Sequence, residues 1–296
     1  MEQSSRLMRC ELRKALGPNL AFWVSLGTGL FLAVISAVRS SVVFSNTLDQ
    51  ALRYWDQSDA LYSATSCFSF WMPVDSSEWA MGVFVILWPL LAALPYAWSW
   101  SVEKKRGVLA QQMSRASRTR CLGAKAMATF VSSALAVSVP LAVNLIACAC
   151  IAPASNNWVS DVLYLGVTYD APLSSLFYNA PLLFCILWTI VVAIVAGLWA
   201  VLVLSLTMLT DAFAPTLIAS YLVVHVLSYI GGQLQAIALA YLGERAARSA
   251  LLSFDLFSIV SVRSTPDATG ALALSVLLLG LFTAILSAIA LRRDIL

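Results

Sequence analysis

Apolar and polar positions alternate along this chain on the scale of whole helices. Six long apolar runs stand out, Leu20–Val38, Trp79–Trp100, Gly123–Ile151, Ala180–Leu209, Phe213–Gly231 and Gly270–Leu291. A helix needs roughly 20 apolar residues to cross a hydrocarbon layer about 30 Å thick, and each run is long enough. The pattern therefore predicts an all-α integral membrane protein with six transmembrane helices, at about 20–38, 79–100, 123–151, 180–209, 213–231 and 270–291. The third and fourth runs exceed a bilayer's need and are expected to tilt or protrude, and Pro89, Pro95 and Pro140 mark kinks.

A shorter period precedes the first run. Within Ser4–Leu16, Leu7, Met8, Leu12, Ala15 and Leu16 share one helical face and Arg6, Arg9 and Arg13 another, and Gly17-Pro18 ends the pattern. Residues 1–18 thus read as an amphipathic helix on the membrane surface, with Arg6, Arg9, Leu12 and Arg13 as its interfacial residues. It serves either as a basic anchor that fixes topology or as a lever that a cytoplasmic partner pushes. The apolar run behind it is too long for a signal-peptide core and lacks a convincing cleavage site, so it is expected to be a retained span.

Composition agrees with a membrane bundle. Of 296 residues, 60% are hydrophobic and 11% charged, and the mean hydropathy is +0.85, whereas soluble domains carry about 25% charged residues. A water-soluble fold is excluded, and residues 1–296 are expected to form one transmembrane domain. The net charge of +3 is not gathered on one solvated face, which argues against nucleic acid as a partner.

Its distribution between connections is informative. Counting alternate sides, one side holds Arg6, Arg9, Arg13 and Lys14, then seven cations between Lys104 and Lys125, then Arg292 and Arg293. The other side holds Arg39, Arg53, Arg245, Arg248 and Arg263. Thirteen against five predicts both termini on the cytoplasmic side of a plasma or inner membrane. Residues 39–78, 152–179 and 232–269 are then long outer loops, and the last includes a semi-apolar stretch, Leu234–Leu252, expected to be helical. The six cysteines are scattered and form no disulfide framework.

The cytoplasmic connection, 101–122, has more pattern than topology requires. Positive-inside bias needs only basic residues, yet Glu103 precedes Lys104, Lys105 and Arg106. Gly107 permits a break, and Leu109, Met113 and Ala116 share one side of a short helix before Arg115, Arg118 and Arg120 lead into the third span. A docking surface uses both signs of charge.

The stretch Tyr96-Ala-Trp-Ser-Trp-Ser-Val-Glu-Lys-Lys-Arg-Gly107, followed by Ser114-Arg-Ala-Ser-Arg-Thr-Arg120 and Gly123-Ala-Lys125, resembles the loop between spans two and three of type 2 ABC transporter permeases. Glu103, Gly107, Ser117-Arg118 and Gly123-x-Lys125 occupy that family's acidic-basic-Gly stretch, polar turn and Gly-Lys opening. The likeness extends to the N-terminal helix, the six-span layout and the turn at Thr210-Asp211, and the chain departs from it in its long first outer loop. The resemblance implies a permease subunit, favouring export, that dimerises with itself or with a second permease in the lipid bilayer. It also implies a separate ATP-binding subunit, docked on Glu103, Lys104, Arg106, Gly107, Met113, Arg115, Arg118 and Lys125.

Other chemistry finds little footing. Gly123-Ala-Lys125 lacks the first glycine and the hydroxyl of a phosphate-cradling loop, so ATP hydrolysis is expected elsewhere and no cofactor is expected here. His225 is the one histidine, which rules out a multi-histidine metal site or a His-Glu-x-x-His protease. Tyr169-Asp170 has no Gly-x-Gly-Asp partner. Asn144, Gln233, Gln235 and His225 are placed either to line a pathway or to join helices by hydrogen bonds, and joining is the favoured role. Two other classes stay open, a membrane scaffold or sensor that binds a partner through its outer loops, and an ATP-independent carrier.

The charge asymmetry sets a direct test of topology. In intact cells, an impermeant thiol reagent should label single-cysteine variants at Ser58 and Ala268 and spare one at Ser114; labelling at Ser114 alone would reverse the orientation.

Overall fold

The computed structural model describes residues 2–53, 66–75, 78–157, 167, 171–242, 258–262 and 268–292. Much of the three long connections expected to be outer, including 243–252 of the semi-apolar stretch, lies outside the described residues. Every regular element among the described residues is helical. They are α1 (Glu2–Leu16), α2 (Leu20–Arg53), α3 (Trp79–Ala93), α4 (Ser99–Lys105), α5 (Val108–Arg115), α6 (Arg118–Ile151), α7 (Ser174–Asn179), α8 (Pro181–Thr210), α9 (Phe213–Ile237) and α10 (Ala268–Arg292). A π-helical turn, Ala238–Leu242, continues α9.

Five helices are long and apolar enough to cross a membrane, namely α2, α6, α8, α9 with its π-helical extension, and α10. The run 79–100, expected as one span, divides instead. α3 stops at Ala93, residues 94–98 form turns, and α4 resumes at Ser99. Pro95 lacks the N–H that would bond the carbonyl of Leu91, and that carbonyl is taken by the Ser25 hydroxyl of α2 at 2.5 Å. At about 1.5 Å per residue, fifteen residues reach about 22 Å, short of a crossing on their own. α2 differs in the opposite sense and runs on to Arg53.

Side-chain bridges give the directions of the helices. Asn19 meets Pro95, Ser25 meets Leu91 and Ser36 meets Glu78, so α2 and α3 are antiparallel. Gly29 lies against Pro140, and Ala33 accepts a hydrogen bond from Asn144 at 3.0 Å, so α2 and α6 are parallel. Thr283 and Ser287 of α10 reach Leu198 and Ser205 of α8, so these two are parallel as well. The end of α10 returns beside the start of α6, where Arg118 donates to the Ala290 carbonyl at 3.3 Å. α1, α4, α5 and the α8–α9 turn therefore share one end of the bundle with the close of α10.

The other end is capped. Trp71 and Met72 are fully buried, Trp71 donating through Nε1 to the Leu141 carbonyl at 3.0 Å and Met72 through its N–H to Asn144 Oδ1 at 2.8 Å. Pieces of the three long connections meet there, since Cys67 N–H donates to the Pro153 carbonyl at 3.0 Å and Val262 N–H to that of Pro73 at 2.7 Å. Asn144, completely buried, thus joins α2, α6 and the cap. His225 and Gln233 behave differently. The ring Nδ1 of His225 meets the Tyr221 carbonyl on its own helix, and Gln233 is exposed.

Close helix approach depends on glycine. A Cβ at Gly29 would lie 2.6 Å from the Pro140 ring, and one at Gly197 would lie 2.5 Å from the Phe130 ring. Proline's ring cannot swing away. Gly29→Ala should therefore lower the stability of the purified chain in detergent by about 1–3 kcal/mol. In a Pro140→Ala background the same change should cost much less, and thermal unfolding of the four proteins decides the point.

Candidate functional site

The end of the bundle that carries α1 also holds a buried group of charges. Lys125 is the eighth residue of α6, deep enough to be 2% exposed. An ammonium removed from water needs partners that replace its hydration. It donates to Glu103 Oε2 of α4 at 2.7 Å and to the Ser99 hydroxyl at 3.1 Å, and it lies 3.4 Å from Glu11 Oε2 of α1. The Tyr96 ring lies beneath it at 5.1 Å, within cation–π range.

The carboxylates are in turn satisfied. Glu11, also 2% exposed, accepts from Lys14 at 2.8 Å and from the Tyr96 hydroxyl at 2.7 Å. Lys14 closes the ring by reaching Glu103 Oε1 at 3.2 Å. Two cations and two anions from three helices thus form one neutral network. Burial pushes the Glu11 carboxyl up, but Lys125, Lys14 and the Tyr96 hydroxyl outweigh it and hold the group below its ordinary 4.5. Burial likewise pulls Lys14 down, and Glu11 with Glu103 overcomes that and raises it above 10.5.

α1 packs through the face its sequence predicts. Ala15 is buried with Leu12 against Tyr96 and Ala128, whereas Arg6, Arg9 and Arg13 are exposed. Asn19 then caps α2, its Oδ1 accepting from the Ala21 N–H at 3.1 Å while its amide donates to the carbonyls of Ala15 and Pro95. One side chain fixes the α1–α2 corner to the turn before α4.

Beside Glu103, Lys104 points elsewhere. It pairs at 2.8 Å with Asp211, which ends α8 in the left-handed region at φ 60°. A non-glycine residue there carries a conformational cost, and the ion pair helps hold it. Gly107 adopts φ 71° between α4 and α5 with open space around its Cα, so the conformation and not crowding calls for glycine.

The eight residues expected to form a docking surface are therefore dispersed. Glu103 and Lys125 face inward, Lys104 is half-buried against Asp211, Met113 is half-buried on the core, and Arg118 donates to Ala290. Arg106 and Gly107 are exposed, and the side chain of Arg115 lies outside the described residues. Glu11, Tyr96, Ser99 and Asp211 are the members that sequence reasoning did not select. Two signals point to the first pair of charges: Glu11 is an acid on the apolar face of α1, and Lys125 is a cation inside an apolar run. No metal-ligand group of three or more residues occurs among the described residues.

Comparison of the chain with protein-family models, with curated proteins and with solved structures finds no match.

The network makes two linked predictions. Lys125→Met leaves two carboxylates facing each other, and should cost about 3–5 kcal/mol in thermal unfolding, part of it recovered by adding Glu11→Gln. The pH dependence follows from the shifts. Glu11's contribution is present above 4.5 and lost as pH falls through its lowered value, and Lys14's is present below 10.5 and lost as pH rises through its raised one. A midpoint scan should therefore show an acid loss that Glu11→Gln abolishes.

Proposed function

We propose that the chain is the permease subunit of an ATP-driven ABC transporter, an exporter by its resemblance, which couples to a separate ATP-binding subunit. The observation that carries this reading is the ionic connection of α4. Adjacent residues Glu103 and Lys104 tie that short helix to α1, to α6 and to the α8–α9 turn. A force applied to the α4–α5 hairpin by a closing ATPase would reach three elements of the bundle at once, in the manner of a rigid lever shifting a two-state equilibrium.

In this reading six crossings form the domain. α3 runs antiparallel to both α2 and α6, is buried along Met81, Phe84, Trp88 and Leu91, and continues through the buried turn to α4. A broken helix is tolerated at membrane depth when protein surrounds it. The end that holds α1 and α4 would be cytoplasmic, as the cation bias requires. The exposed apolar faces of α9 and α10, beside a cleft of about 590 Å³ that includes Trp199, Val223 and Phe282, suit a second permease subunit.

One observation favours a second reading, an ATP-independent carrier. Glu78 is 2% exposed and accepts from the Ser36 hydroxyl of α2 at 2.5 Å, so an acid that sequence places in a loop is enclosed between helices.

Charge reversal at exposed positions distinguishes the two. Lys105→Glu with Arg120→Glu should lower co-purification of a co-expressed ATP-binding subunit several-fold and leave membrane insertion intact. Arg53→Glu, at the opposite end of α2, should leave that association unchanged. Full association of the inner pair variant would remove this hairpin from the docking surface.

A further inference from the structure

Beside the charge network runs a groove whose chemistry changes along its length. Its larger part, about 860 Å³, has walls from Leu20, Ala21, Val24, Leu94, Val102 and Val108, with Lys14 and Arg106 also on its lining. Lys14 and Pro18 are shared with a second recess of about 460 Å³, formed otherwise by Arg6, Arg9, Cys10 and Arg13. The two volumes adjoin, and each falls within the range of small-molecule sites.

The charges of the groove are not balanced. Lys14 is neutralised by Glu11 and Glu103, but Arg9, Arg13 and Arg106 are exposed and make no ion pair among the described residues. Arg9 and Arg13 thus make the smaller recess the cationic end of the groove, with Arg106 at the edge of the larger part, whose walls are otherwise largely apolar and include the start of α2, a helix apolar enough to cross a membrane. A ligand complementary to both ends is an amphiphile with an anionic head and an acyl chain. A soluble anion would leave the apolar end uncompensated, and the position of that end at the start of a helix apolar enough to cross a membrane favours an acyl chain over a peptide.

We infer that this groove is a binding site for an anionic phospholipid, its phosphate held by Arg9 and Arg13 and a chain laid along Leu20, Val24 and Leu94. The site joins α1 to α2 from the outside, as the charge network joins α1 to α6 and α4 from within. Bound lipid then stabilises the docked position of α1, because a ligand that binds one arrangement favours it by mass action. The site stands whether the chain works with an ATPase or without one.

The test uses the full purified chain in detergent, with lipid adducts counted by native mass spectrometry and unfolding midpoints read in parallel. Dioleoyl phosphatidylglycerol should remain bound and raise the midpoint, and dioleoyl phosphatidylcholine should do neither. Glycerol 1-phosphate, which has the head without the chains, should have no effect; an equal effect from it would make this a free-phosphate site and overturn the proposal. Arg9→Gln with Arg13→Gln should weaken phosphatidylglycerol retention by about tenfold. Ala21→Trp, which fills the apolar part and leaves every cation in place, should do the same. Arg53→Gln with Arg120→Gln, an equal loss of charge elsewhere, should retain the lipid. Equal retention of the two lipids, or unchanged retention in either groove variant, would overturn the inference.

Discussion

An ammonium buried in an apolar helix bundle is the constraint from which the organisation of this protein follows. Removing Lys125 from water costs several kcal/mol, and only nearby opposite charge and hydrogen-bond acceptors offset it. Glu103 at 2.7 Å, Glu11 at 3.4 Å and the Ser99 hydroxyl at 3.1 Å meet that demand, and each belongs to a different turn of chain from the lysine. Satisfying one side chain therefore positions α1 and α4 against α6. The carboxylates impose the same requirement in reverse, which brings in Lys14 and the Tyr96 hydroxyl.

Prolines spread the consequences through the bundle. Pro95 removes the backbone donor that the Leu91 carbonyl would otherwise meet, and the carbonyls of Pro95 and Pro89 also accept from side chains of other elements. Ser25 takes the Leu91 carbonyl, Asn19 takes that of Pro95, and Trp199 of α8 donates to Pro89 at 2.9 Å. The break in the second apolar run is thus stitched to α2 and α8, and it turns the chain so that Glu103 and Lys104 project to different neighbours. At the far end Asn144 and Trp71 do comparable work, anchoring the cap to α6.

Helices were legible because long apolar runs and a 3.6-residue period are local properties. The exposed stripe of Arg6, Arg9 and Arg13 and the buried Ala15 lie where that period puts them. The break at residues 94–98 was only partly legible. Pro89 and Pro95 signal kinks, yet Pro89 sits within α3 and the chain leaves the helix around Pro95, where the Asn19 side chain takes its carbonyl. The cap escaped notice for a different reason. Its turns at 66–75 have no period, and burial of Trp71 and Met72 depends on carbonyls and amides that α6 presents 70 or so residues later.

By itself, then, the sequence determined that the chain forms apolar helices, where an amphipathic helix precedes them, and which connections carry the cations, since each is set by residues close together along the chain. Tertiary structure alone decided which charges are free. Glu103, Lys104 and Lys125 belong to a basic stretch that reads as one exposed surface, and folding divides them between an inner network and a helix-end pair with Asp211, leaving Lys105 and Arg106 to solvent. The reason is physical: an exposed charge is stabilised by water wherever it lies, whereas a buried one is permitted only where distant parts of the chain bring its counter-charge within about 3 Å.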